Sequence, residues 1–214
     1  KIVVAGLLLA GLALCALALW SLTPWPRALL LRQAFDKGAA EANDKLARHV
    51  RPGLNEILNL AYLPDSPDAR LDIYLPGDPS TPPPLIIWVH GGAWVSGSKD
   101  LISNYLRLLA AEGYAVAGID YSLAPGATYP TPVTQTNAAL SYLVAHAADY
   151  GYDAGRLVLA GDSAGAQIAA QTALTLTDPA YAGRTGLAAG ATPDRLKGIL
   201  LFCGGLDASH LSLD

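Results

Sequence analysis

Two clusters of residues in this chain have the types and spacing needed for chemistry. Gly161-Asp162-Ser163-Ala164-Gly165 fits the pattern G-x-S-x-G. It lies between an apolar run, Leu157–Ala160, and a helical pattern from about Ala164 to Leu176. Glycines flanking the serine let a strand and a helix meet at a sharp, strained turn that holds the hydroxyl clear of its neighbours. The first backbone N–H of the helix, at Ala164, can then point at charge developing on a substrate oxygen. A serine held this way is a nucleophile for acyl transfer. A plain tight turn is the competing reading.

His90-Gly91-Gly92-Ala93-Trp94 is the second cluster, directly after the apolar run Leu85–Val89. Glycines at this place let the backbone approach a substrate and turn the N–H groups of Gly91 and Gly92 inward, as the other half of an oxyanion hole. A glycine-rich turn without function is the alternative. His90 is read as a residue that holds the loop by hydrogen bonds, not as a general base. Trp94, Gly161, Asp162 and Gly165 are read as support for the two motifs. Asp120 and Asp162 are expected to fix loops, and His49 and His146 to lie on helix surfaces.

A serine nucleophile needs a base, and the base needs an orienting acid. In the order Ser, acid, His, only His210 follows Ser163 as a base, and Asp207 is a possible acid. Both are weak candidates, since they lie in a loop just beyond the run Ile199–Cys203. The expectation is therefore that the chain is the N-terminal part of a longer protein, with the acid and the histidine beyond residue 214. Its start at Lys1 instead of Met suggests that the chain begins a few residues late, or was cut.

These motifs need a scaffold, and the sequence outlines one. From Arg70 onward strand-like runs alternate with helical patterns. The strands are Leu71–Leu75, Leu85–Val89, Ala115–Ile119, Leu157–Ala160 and Ile199–Cys203. The helices are carried by Ile102, Tyr105, Leu106 and Leu109, closed by Gly113, and by Leu140, Leu143, Val144 and Ala147 after Pro132. Apolar strands alternating with helices imply an α/β fold, a mostly parallel sheet covered on both faces. Ligands of such sheets bind at the carboxyl ends of the strands. His90, Asp120 and Ser163 all stand at such ends.

The two motifs, with Tyr121-Ser122-Leu123-Ala124-Pro125, resemble the hormone-sensitive-lipase and feruloyl-esterase-like branch of the α/β-hydrolases. The resemblance covers roughly Leu71 to Asp207. It implies an α/β-hydrolase fold in which Ser163 attacks an ester carbonyl and Gly91, Gly92 and Ala164 supply the oxyanion N–H groups. It implies a small-molecule acyl ester as substrate and no cofactor or metal. Ser122 departs from the family, which often has Arg there, and the change is expected to alter a structural contact. The same apparatus also serves an amidase, a formamidase or a peptidase. A binding protein on a hydrolase scaffold is the non-enzymatic alternative, and retention of Ser163 weighs against it.

Ahead of this domain, assigned to residues 70–214, come two further segments. Residues 1–26 hold an uncharged run, Ile2 to Leu22, in which Ser21 is the only hydroxyl residue. As a helix it would be about 31 Å long, close to the thickness of a hydrocarbon core. Trp20 and Trp25 flank its end as interfacial aromatics do, and Pro24 and Pro26 stop it. It is read as a retained single-pass membrane anchor. The alternative is a cleaved signal peptide and a secreted or periplasmic protein. Lys1 before the run, and Arg27, Arg32 and Lys37 after it, leave the orientation open. Residues 27–69 read as a helical connector broken near Gly38, or as a cap over the active site. The solvated connector is the plainer reading.

The chain is 52% apolar and 15% charged, with a net charge of −4. No basic stripe is present, so nucleic acid is not an expected partner. Cys15 and Cys203 read as small hydrophobes, not as a disulfide or metal pair. The oligomeric state is not legible.

Overall fold

A computed structural model of the protein describes residues 2–207, with side chains from residue 11 onward except that of Cys15. In chain order the elements are α1 (Ile2–Ser21), α2 (Trp25–Ala47), β1 (Asn55–Ala61), β2 (Arg70–Leu75), β3 (Pro84–Val89), α3 (Ser103–Ala111), β4 (Ala115–Ile119), α4 (Thr131–Ala145), α5 (Ala147–Tyr150), β5 (Asp153–Asp162), α6 (Ala164–Thr177), α7 (Pro179–Thr185) and β6 (Leu196–Phe202). A 3₁₀ turn, Lys99–Ile102, precedes α3.

The strands form one six-stranded sheet in the order β1-β2-β4-β3-β5-β6. β4, β3, β5 and β6 run parallel, while β1 and β2 pair antiparallel and β2 pairs antiparallel with β4. β3 shows why the middle of the sheet reads as an unbroken apolar run. Leu85, Ile87 and Val89 point into the core shared with α4 and α6, and Ile86 and Trp88 into the core shared with α3. Successive strand residues face opposite sides, so a strand covered on both faces must be apolar throughout.

Three sequence expectations are corrected. β1 precedes Leu71, where no strand is expected; it has a register shift between Ile57 and Leu60, and Asn59 has a φ of 59°. β5 extends back to Asp153, well before Leu157. The helix expected to break near Gly38 runs unbroken from Trp25 to Ala47. A glycine inside a helix costs about 1 kcal/mol, and docking offsets it. Arg32 donates through Nε to the Val95 carbonyl at 2.6 Å and through Nη2 to that of Ala124 at 3.2 Å. Asp36 Oδ1 accepts the Gly97 N–H at 3.0 Å, and Asn43 Oδ1 accepts that of Asn104 at 2.9 Å.

At the sheet edge β6 leaves Ile199, Leu200 and Phe202 exposed. Among the described residues from Gly11 onward no single helix is long and apolar enough to cross a membrane. The pair Gly11–Ser21 and Trp25–Ala47, bent by 67°, meets that length and composition only jointly.

Candidate active site

β5 runs straight into Ser163, which occupies the N-cap of α6 with φ 51° and ψ −116°. Left-handed φ is rare for a residue with a side chain and is tolerated where the surroundings enforce it. Here the Ser163 N–H is held by the Phe202 carbonyl at 2.7 Å. The helix that follows starts within touching distance of β3. A Cβ on Gly165 would lie 2.5 Å from the His90 carbonyl oxygen, and one on Gly161 would lie 2.6 Å from Gly165 backbone atoms. Only glycine fits at either position. The Ser163 side chain makes no capping hydrogen bond and is exposed.

The loop after β3 faces this serine. Gly91, Gly92, Ala93 and Ser163 line one cavity of about 370 Å³. The Gly91 amide is not available for an oxyanion, because it donates to Asp162 Oδ1 at 3.1 Å. That corrects the donor pair expected at Gly91 and Gly92. The amides of Gly92, Ala93 and Ala164 form no hydrogen bond among the described residues. Ala93 thus brings an unbonded amide to the cavity wall, a feature that sequence reasoning missed. It and Trp94 have φ of 53° and 60°, values no residue type there announces.

The same Asp162 oxygen accepts the Trp88 indole N–H at 3.1 Å, so one carboxylate ties β3, its loop and the serine turn together. His90 is buried, stacks on Tyr121 at 4.4 Å between ring centroids, and contacts the Gly91 carbonyl through Nδ1 at 2.7 Å. A carbonyl can only accept, so Nδ1 carries the proton. Burial lowers the pKa of the imidazole and keeps it neutral. Its Nε2 faces Asp120 at 3.9 Å. Burial pushes the Asp120 carboxyl up to about 6, against the opposing pull of the Lys99 N–H and ammonium.

Lys99 is itself buried. Its ammonium reaches Asp72 at 3.1 Å, Asp100 at 2.8 Å and Asn59 Oδ1 at 2.9 Å, while its N–H donates to Asp120 Oδ1 at 2.6 Å. A buried cation is tolerated only when paired in this way. The cluster pins the chain just beyond the cavity loop. Ser122 accepts a hydrogen bond at Oγ from the Gln135 amide at 2.9 Å and gives its N–H to Gln135 Oε1 at 2.7 Å.

The cavity's other wall is helical. Ala34, Phe35, Gly38 and Ala39 of α2 line it, so α2 lies against the site and not out in solvent. Of the remaining residues named from sequence, His49 is exposed and His146 pairs with Asp149 at 2.9 Å at the end of α4. Asp207 is exposed in the loop after β6, and His210 lies outside the described residues. Cys203 is a free, exposed cysteine just past β6. Among the described residues no cluster of His, Cys, Asp or Glu could hold a metal ion.

A mostly parallel sheet flanked by helices, with a strained serine between a central strand and its helix, defines an α/β-hydrolase fold. Esterase B from Lactobacillus rhamnosis, in a structure with a tributyrin phosphonate, shares it: TM-score 0.75, 26% identity, covering 87% of this chain and 61% of that one. Residues 71–194 match the BD-FAE family model, and the chain belongs to that family. Esterase LipC from Mycobacterium tuberculosis is 35% identical over 138 residues, 63% of this chain and 34% of its own. The acetyl esterase of Salmonella schwarzengrund is 42% identical over 95 residues, 44% of this chain and 29% of its own. A probable isoprenylcysteine alpha-carbonyl methylesterase from Oryza sativa subsp. japonica is 38% identical over 115 residues, 54% of this chain and 28% of its own. The chain thus spans about a third of the length of these curated relatives.

Proposed function

We propose that the protein hydrolyses small carboxylic esters through an acyl-enzyme formed on Ser163. The observation that carries this reading is the exposed, uncapped hydroxyl of Ser163 at φ 51°, on a cavity that Gly92 and Ala93 also line. Attack on an ester carbonyl builds negative charge on its oxygen. The free amides of Gly92, Ala93 and Ala164 are the donors for that charge, at a helix N-terminus that adds its own positive end. Collapse breaks the carbonyl C–O bond and expels the alcohol, which carries off the proton lost by the Ser163 hydroxyl; water then adds to the acyl group, returns a proton to the Ser163 oxygen and releases the acid. His90 is not the base in this scheme, because its Nδ1 proton is committed to the Gly91 carbonyl and its free nitrogen, Nε2, faces Asp120. The relatives named above are esterases, which favours an ester over an amide.

The test is a fluorophosphonate probe on the full-length protein, read by peptide mass. The adduct is expected on Ser163. An adduct on Ser96 or Ser98, which line the same cavity, would reject the assignment.

Within this scheme α2 positions the oxyanion loop, since Arg32 holds the carbonyls of Val95 and Ala124. Arg32→Ala leaves two carbonyls without their charged donor and frees the loop. A displacement of the order of 1 Å in a site costs about 10²-fold in rate. The expected result is a fall in kcat of about ten- to a hundredfold with KM little changed, and partial recovery in Arg32→Lys. A rise in KM alone would place Arg32 in ground-state binding.

We further propose that residues 2–22 hold the protein in a membrane. The support is the 20-residue uncharged helix Ile2–Ser21, with Trp20 in its last turn and exposed Leu22 and Trp25 after it. The full-length protein should remain in the membrane pellet after an alkaline carbonate wash. Recovery of a soluble mature chain starting near Leu19 would instead establish a cleaved signal peptide.

A further inference from the structure

A second cavity, of about 510 Å³, lies on the other side of the serine turn. Pro24, Trp94, Tyr129, Val133, Gln167 and Ile168 are among its walls. Most of that lining is hydrocarbon, and the Gln167 amide oxygen is already committed to the Trp94 indole N–H at 3.2 Å. The volume falls within the range of pockets that enclose small ligands.

This cavity and the Ser163 cavity share a partition. Ala93 faces one and Trp94 the other. Ser163 faces one, and Gln167, a turn further along α6, faces the other; the Gln167 N–H contacts the Ser163 carbonyl oxygen at 3.3 Å. The Trp94–Gln167 hydrogen bond closes the partition. Behind Trp94, its carbonyl accepts the Ala124 N–H at 2.8 Å, which fixes the loop that forms the far wall. The far rim is Pro24, in the turn between α1 and α2.

We propose that this second cavity is the subsite for the longer apolar arm of the ester, with the Trp94–Gln167 pair setting which arm lengths pass. The proposal rests on Ser163 as the acylated nucleophile. An ester held at Ser163 must send one arm away from the oxyanion donors. On the α6 side, the Trp94–Gln167 pair separates the serine from space that offers an alkyl chain apolar contact. An acetyl group needs none of this space, whereas an octanoyl chain needs much of it. Burial of each further methylene then adds to the binding of the transition state.

The test uses the full-length protein with p-nitrophenyl acetate and octanoate. Ala127→Phe fills the cavity from a partly exposed loop residue that touches neither motif. It should lower kcat/KM for octanoate about tenfold or more while leaving acetate unchanged. Tyr129→Ala, at a position 60% exposed, removes a wall without disturbing the core. It should lower octanoate severalfold and acetate not at all, which decides the matter should Ala127→Phe fail to fold. Binding of octanol to Ser163→Ala, followed by titration calorimetry, should disappear when Ala127→Phe is added. Equal losses on both esters, or octanol binding that ignores Ala127→Phe, overturns the subsite. Ester turnover that survives Ser163→Ala would overturn the nucleophile instead, and the octanol titration would still decide the cavity.

Discussion

Ser163→Ala is expected to lower ester turnover by on the order of 10⁶-fold, as loss of the nucleophile does in other serine hydrolases. The size follows from what is removed. An acyl-enzyme splits one difficult hydrolysis into two easier steps, and without the hydroxyl the first step has no route. What survives is the acceleration the oxyanion amides give to attack by water, roughly 10³- to 10⁴-fold. KM for the ester should change little, because the substitution removes only a small hydroxyl that is exposed and caps nothing. The measurement is steady-state hydrolysis of p-nitrophenyl acetate by full-length wild type and variant, purified separately to exclude carry-over. A loss of less than about 10²-fold would be no more than one oxyanion donor is worth. Ser163 would then be an accessory group and not the nucleophile.

The second large effect is expected at Gly165, through sterics alone. Its added Cβ would meet the backbone of β3 and of the cavity loop, 2.5 Å from the His90 oxygen and 2.7 Å from the His90 carbonyl carbon. Neither contact is with the flexible end of a side chain, so β3 and α6 must part. Overpacking of this kind costs about 1–3 kcal/mol. For a domain of this size that is a drop in Tm of roughly 2–12 °C. Turnover should fall further than stability does, because the displaced segment carries the Gly92 and Ala93 donors. Gly183 supplies the control. It lies in α7 with nothing within 4 Å of an added Cβ, so Gly183→Ala should raise stability by up to about 1 kcal/mol. The two substitutions are chemically identical and should move Tm in opposite directions. Equal thermal melts for Gly165→Ala and wild type would mean that β3 and α6 are not packed as described.

The parts of this fold that were legible in sequence share a physical cause. β3 and β4 are buried on both faces, so Leu85–Val89 and Ala115–Ile119 carry nothing polar to interrupt the signal. The serine turn was legible because its glycines are forced by backbone contact with β3, and such contact leaves a mark on residue type. β1 was hidden because it is an edge strand. Its sequence Asn55–Ala61 is mostly exposed, and Asn59 bends it so that its N–H meets Asp72 Oδ1 at 2.7 Å. The antiparallel direction of β1 and β2 leaves no trace in residue pattern. Nor does the fate of the Gly91 amide. That amide is consumed by Asp162, seventy-one positions away in the chain. Only packing reveals that the amide left unbonded beside that of Gly92 is the one of Ala93. The docking of α2 was illegible for the same reason, since Arg32, Asp36 and Asn43 look like ordinary solvated residues until their backbone partners are known.

The alternation along β3 sets which lengths of this gene product can exist. One residue inserted between Leu85 and Val89 would shift every later side chain to the opposite face. Trp88 would turn into the α4 and α6 core, and Asp162 would lose the indole it holds at 3.1 Å. No local adjustment could absorb this, because β3 is paired on both sides, to β4 and to β5. Between β2 and β3 the constraint vanishes. Asp78, Pro79, Ser80 and Thr81 are exposed in a turn of no fixed length. Natural variants of this chain should therefore gain or lose residues at 78–81 freely, while the distance from Leu85 to Trp94 stays constant to the residue.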